Sequence, residues 1–145
     1  MIAVKQLLNS KGHDVWSVRR DSSVFDAIKL MDRHRVGALL VLEGKKLVGI
    51  ISERDYARKV ILKGRSSRET PVSEIMTRNV ICIAPDRIVD ECMALMTEKR
   101  IRHLPVRNGG EVIGVVSIGD LVRATISEKD FIVGQLEKYT NGYYG

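Results

Sequence analysis

Gly49-Ile50-Ile51-Ser52-Glu53-Arg54-Asp55 is written twice, for Gly114-Val115-Val116-Ser117-Ile118-Gly119-Asp120 stands 65 residues further on. Each copy reads as the end of a buried strand, a Ser at the turn, and a helix start with an Asp in its first turn. Such a junction aims backbone N–H groups and a carboxylate at one point, the arrangement a nucleotide site requires.

The duplication extends well beyond these seven residues. Residues 15–59 slide onto 80–124 without a gap, with identities that include Asp21/Asp86, Leu30/Leu95, Arg35/Arg100, Val41/Val106, Gly49/Gly114, Ser52/Ser117, Asp55/Asp120 and Arg58/Arg123. A period of this length is too long for a solenoid unit. Two copies predict two β-α-β-β-α modules packed about a pseudo-twofold axis in the α/β class. Each half alone buries little core, so the two are expected to fold as one body.

The local patterns agree. Ile2, Val4, Leu7 and Leu8 predict a helix that stops at Gly12, and Val15-Trp16-Ser17-Val18 a short strand. Ser23-Val24-Phe25-Asp26 has the form of a capping box, opening a helix to about Arg35. Ala38-Leu39-Leu40-Val41-Leu42 reads as a strand buried on both faces, and Glu43-Gly44-Lys45 as the turn of a hairpin. Residues 63–71 are polar and aperiodic, a linker. A helical turn through Met76, a strand over 80–83, a helix over 87–99, a hairpin turning at Asn108-Gly109-Gly110 and a helix over 118–126 then repeat the order. A polar break at Ser127-Glu128 precedes a last amphipathic helix with Phe131, Ile132, Leu136 and Tyr139. The expected division is 1–62, the first repeat with its N-terminal helix; 63–71, the linker; 72–127, the second repeat; and 128–145, a helix and tail.

Composition narrows the class. The chain has 145 residues, 44% hydrophobic and 29% charged, as in an ordinary globular domain. No apolar run approaches the roughly 18 residues of a membrane span, and the N-terminus does not resemble a secretory or transit segment, so a cytoplasmic protein is expected. Cys82 and Cys92 read as buried thiols, and no Cys/His set suggests a metal. The net charge of +6 suits a nucleotide phosphate. Nucleic acid is a weaker expectation, since no block of like charges appears and only 5% of residues are aromatic.

Gly-x-x-Ser-x-x-Asp after a hairpin, the strand Arg102-His103-Leu104-Pro105-Val106, and Ile75-Met76-Thr77 before the second copy together resemble tandem cystathionine-β-synthase (CBS) domains, from about Val4 to Ile126. The resemblance implies a Bateman module: a non-catalytic regulatory pair that binds adenine nucleotides (AMP, ADP, ATP or NAD) in the cleft between repeats and forms a homodimer. It implies ribose binding by Asp55 and Asp120. Ser52, Ser117, Arg102, His103 and Arg54 are the expected phosphate contacts, and Gly37, Ala38, Ile83, Ala84 and Ile101 the expected cleft lining. With no catalytic or transport domain attached, such a module would act in trans on a partner.

The chemistry of these residues is compatible with that implication. A carboxylate accepts two hydrogen bonds from a ribose diol, and a Ser at a helix start places a hydroxyl and free N–H groups near a phosphate. Ser-x-x-Asp is also an N-cap motif, and the two roles are not exclusive. Where the second copy has Arg102-His103 the first has Gly37-Ala38, so the two sites are expected to be unequal, with Arg102 able to serve the site headed by Asp55. The Met set and the lone His13 and His34 read as core filler and surface. Ser117, His103 and Asp120 lack the G-x-S-x-G context of a hydrolase, and no Walker A or G-x-G-x-x-G loop is present. A ligand-free dimerisation module and a basic nucleic-acid binder are the competing functions. The apolar helix residues Ile28, Met31, Met93, Met96, Ile118, Leu121 and Val122 are the reason to expect a dimer.

Overall fold

The computed structural model describes residues 1–136, with side chains described to residue 127. Helix α1 (Val4–Lys11) precedes the first repeat, which runs β1 (Ser17–Val18), α2 (Val24–His34), β2 (Ala38–Glu43), β3 (Lys46–Ser52) and α3 (Glu53–Tyr56). The second repeat runs α4 (Val89–Lys99), β4 (His103–Asn108), β5 (Glu111–Ser117) and α5 (Ile118–Leu136). This is the expected duplicated α/β plan.

The hairpins match in register as well as in sequence. Glu43 pairs with Lys46 and Asn108 with Glu111 across two-residue loops, and each hairpin shifts register once, after Val41 and after Val106. β1 lies parallel to β2. Its counterpart, expected over 80–83, is reduced to a single parallel bridge between Ile83 and Val106. The expected break at Ser127-Glu128 is not observed: α5 continues through it to Leu136. Ser and Glu carry only small helix penalties, which do not stop a helix already propagating. Tyr139 and the side chains of Phe131, Ile132 and Leu136 lie outside the described residues.

The two cores do not follow the division of the chain. α1 is contiguous with the first repeat, yet Val4, Leu7 and Leu8 are buried with Val89, Cys92, Met96, Leu104 and Leu121 of the second. Val72, Ile75 and Met76, just before the second repeat, are buried with Val24, Met31, Leu39 and Ile51 of the first. The backbone repeats the same exchange. Val4 N–H donates to Arg87 O and Lys5 N–H to Pro85 O, as Val72 N–H donates to Ser22 O and Ser73 N–H to Arg20 O. These segments correspond at a spacing of 68, Val4 with Val72 and Leu8 with Met76, which the gapless slide at 65 cannot register. Packing over the hairpin completes the match. A Cβ at Gly114 would lie 2.7 Å from Leu8 Cδ2, and one at Gly49 2.6 Å from Met76 Sδ, so glycine is needed where each segment crosses.

Some of the apolar helix residues were expected to face outward, and few of them do. Met31, Met96 and Leu121 are core, while Ile28, Met93 and Ile118 pack against it. Of that set only Val122 is exposed; Ile126 on α5 and Ile61 and Leu62, which follow α3, are exposed as well. The linker is strapped down: Val24 N–H donates to Thr70 O, and the Arg68 guanidinium lies 3.9 Å from the centre of the Phe25 ring.

Because Leu8 is fully buried against the other repeat, Leu8→Ala is expected to cost about 2–5 kcal/mol in urea unfolding. A loss below about 1 kcal/mol would show that α1 is not part of the second core.

Candidate functional site

Both Ser-Asp junctions form reciprocal caps. Ser52 ends β3; its Oγ accepts from Asp55 N–H at 3.2 Å, and its own N–H donates to Asp55 Oδ2 at 2.9 Å. At the end of β5, Ser117 Oγ accepts from Asp120 N–H at 3.1 Å, and Ser117 N–H donates to Asp120 Oδ2 at 2.8 Å. A carboxylate in the first helical turn is further favoured by the amide dipoles, and the half-buried placement strengthens each charge-assisted bond. Each Asp also holds a lysine: Lys59 Nζ is 3.0 Å from Asp55 Oδ1, and Lys11 Nζ, from α1, is 2.6 Å from Asp120 Oδ2. Arg123 lies 2.7 Å from Asp120 Oδ1. Burial alone would raise the Asp120 carboxyl, but the hydrogen bonds from Lys11 and Ser117 outweigh it and hold the group below its ordinary value.

Two cavities open at these junctions. The first, about 370 Å³, brings Ser52, Arg54 and Asp55 together with Ile101, Arg102 and His103 of the second repeat. The second, about 530 Å³, brings Ser117, Gly119 and Asp120 together with Arg35, Gly37 and Ala38 of the first. Each cleft is thus headed by one repeat and walled by the other. Arg102 and His103 line both. The backbone fixes this crossing, since Glu53 N–H donates to Gly37 O at 3.0 Å and its counterpart Ile118 N–H to Arg102 O at 2.9 Å.

Ile83 and Ala84 were expected in the cleft but line a separate cavity with Cys82 and Arg87. Ile83 is buried in the second core and bridges Val106, so it turns away, and Val80 and Ile81 face the first cleft instead. Several lining residues were not singled out in the sequence: Lys11, Asp14, Trp16, Lys59, Thr77, Asn79 and the pair Arg35/Arg100. The last pair carried a signal. Both are identities of the repeat, and both occupy a left-handed position after a helix, φ +54° and +55°, where glycine is usual. An Arg in this conformation costs more than a glycine would, and each of the two lines a cleft.

The wall between the clefts is thin. A Cβ on Gly37 would come within 2.9 Å of Glu53 Oε1 and 3.4 Å of His103 Nε2, so a side chain there requires the Glu53 carboxylate to swing aside. Burial pushes the His103 imidazole down to about 4; the Asp120 charge opposes that shift, and Lys11 and Arg102 add to it. Asp120 accepts from Lys11, Arg123 and the Ser117 amide, and among the described residues no hydrogen bond joins it to His103, so no Ser-His-Asp relay is formed. Among the described residues no His/Cys/Asp/Glu group could hold a metal, and no helix is long and apolar enough to cross a membrane.

The state of His103 has a measurable consequence. Folded, the ring stays neutral to about pH 4; unfolded, it takes a proton near its ordinary 6.5. The unfolded chain then binds more protons between these values, so stability is lost as the pH falls through that window, at most about 1.4 kcal/mol per pH unit. His103→Gln, which cannot titrate, is expected to flatten the difference between urea midpoints at about pH 4.5 and about pH 7. Identical profiles for the two proteins would exclude a depressed imidazole.

Known proteins share this architecture. The CBS domain family profile matches twice, over residues 4–62 and 72–127. The chain is 43% identical, over 97% of its length and 73% of the relative's, to the CBS domain-containing protein CBSX3, mitochondrial, of Arabidopsis thaliana. A solved protein with CBS domains from Burkholderia ambifaria is 51% identical and superposes with a TM-score of 0.86 over 88% of this chain and 96% of that one. The CBS domain pair of protein MJ0100, solved in complex with 5′-methylthioadenosine and S-adenosyl-L-methionine, is 29% identical with a TM-score of 0.79, over 89% and 99%. With two family matches covering most of its length and two repeats that build one fold, this chain belongs to the CBS domain family, as a tandem pair.

Proposed function

We propose that this CBS pair is a non-catalytic sensor of adenine nucleotides (AMP, ADP, ATP or NAD) that passes ligand occupancy to a partner protein in trans. The observation that carries the reading is the construction of the clefts: a Ser-Asp junction from one repeat faces basic side chains from the other, twice. A ligand spanning a cleft touches both halves and so favours one relative placement, which a partner can read. The adenosine compounds bound by the MJ0100 pair support an adenosine ligand here. Asp55 and Asp120 hold the ribose diol, while Ser52, Ser117, Arg54, Arg102 and His103 face the phosphates. The protein works in the cytoplasm as a homodimer. Val122 and Ile126, exposed one helical turn apart on α5, together with Ile61 and Leu62 at the matching end of the first repeat, form its outward apolar surface.

Both Asp residues already cap helices, so Asp→Ala at either position is expected to cost about 0.5–2 kcal/mol without ligand. The informative quantity is therefore the ligand-induced gain in stability. For the wild type it is about 2.7 kcal/mol at a hundredfold excess over Kd. Each single variant is expected to weaken its own site at least about tenfold, and the double variant to show no gain. A 2′,3′-dideoxy analogue that binds as well as its parent would remove the ribose role. A monomer mass in light scattering at micromolar concentration would remove the dimer.

A further inference from the structure

We infer that the two clefts divide the ligands by charge: the one headed by Asp55 takes an adenine nucleotide with a polyphosphate chain, and the one headed by Asp120 an adenosine ligand with no more than one phosphate. This rests on the nucleotide reading above and assigns a ligand class to each site.

The linings correspond position by position at the spacing of the repeat, which allows a direct comparison. Where the Asp55 cleft has Arg54, Lys59 and Arg102, the matching residues of the other repeat are Gly119, Ala124 and Gly37. Where the Asp55 cleft has neutral Asn79, the Asp120 cleft has Asp14. Three exchanges remove a cation and one adds a carboxylate.

What remains is already committed differently in the two clefts. The Asp120 cleft has its own Lys11, but that ammonium is bound to Asp120 at 2.6 Å and to Val115 O at 2.8 Å. Arg123 is held by the same carboxylate at 2.7 Å. Arg35 and the shared Arg102 are left to meet a phosphate, with Asp14 nearby; Glu53 lines both clefts and does not distinguish them. In the Asp55 cleft Lys59 is likewise spent on Asp55. Arg54, Arg58, Arg100 and Arg102 nevertheless line it, and none of the four is paired with a carboxylate among the described residues. Guanidinium groups bind phosphate oxygens in bidentate fashion, and several converging on one chain offset the cost of desolvating it. A cleft that presents carboxylates and few free cations favours a ligand with little negative charge. Trp16, held by its stack on His34 with ring centroids 3.6 Å apart, lines the Asp120 cleft and offers it apolar surface that does not depend on phosphate.

Calorimetric titration of the whole chain with AMP and with ATP tests the division. AMP is expected to fill two sites per chain and ATP one, with ATP at least about tenfold weaker at the second. Rising salt is expected to weaken ATP much more than AMP. In Asp55→Ala the ATP isotherm is lost and one AMP site stays; in Asp120→Ala ATP binding is kept. The double variant Asp14→Asn/Gly119→Arg carries the residues of the Asp55 cleft at two of the four differing positions. It leaves both capping carboxylates in place, and a Cβ at Gly119 would meet the flexible end of Arg123 at 3.3 Å and Ser117 Oγ at an ordinary 3.7 Å. It is expected to gain a second ATP site. Two equal ATP sites in the wild type, ATP binding that survives Asp55→Ala and fails in Asp120→Ala, or no gain in the double variant would each overturn the division while leaving nucleotide binding intact. Absence of binding by adenosine, AMP and ATP alike would remove the nucleotide reading, and the division with it.

Discussion

The carboxylate that folds back onto the amide of its own strand end is the interaction on which this structure turns. Asp55 and Asp120 each accept the N–H of the Ser that ends a central strand, while that Ser accepts the amide of the Asp. The bond pair stops the strand, starts the helix and fixes a negative charge at the mouth of a cleft. It also explains why a lysine gathers at each Asp. A carboxylate that is largely buried needs a countercharge, and the fold supplies one from a different element in each repeat, Lys59 from the following helical turn and Lys11 from the N-terminal helix.

Around these junctions the halves are bound by exchange. Each core is closed by the segment that precedes the other repeat, and each such segment crosses its hairpin over a glycine. Two small layers that could not bury enough surface separately thus share one cooperative body. The same crossing builds the clefts. The backbone bonds from Glu53 to Gly37 and from Ile118 to Arg102 place a loop of each repeat beside the motif of the other. A molecule seated in either cleft would therefore touch both halves.

Duplication followed by divergence has left the two clefts with one geometry and two charge patterns. The shared wall of Gly37 and His103 is thin, and its imidazole stays neutral because burial outweighs the nearby Asp120 charge. The charge differs on the two sides: arginine-rich around Asp55, nearly balanced around Asp120.

The class, the order of elements, the duplicated hairpins and the Ser-Asp junctions could all be read in the amino-acid sequence. They rest on local spacing, turn chemistry and a repeat of high identity, each of which acts within a few residues. The exchange of segments could not be read, because Val4, Leu8, Val72 and Met76 match at a different spacing and find their partners through long-range packing. Which of the apolar helix residues face outward could not be read for a related cause. A helix pattern shows that a face is apolar but not which neighbour covers it, and the cores took Met31, Met96 and Leu121. Ile83 left the cleft because a parallel bridge to Val106 holds it in the second core, with Ala84 exposed beside it, and Lys11 joined the Asp120 cleft from a helix more than a hundred residues away in the chain. Which cations remain free to meet a ligand depends on which carboxylates have already claimed their neighbours, and only the packed arrangement of both repeats settles that.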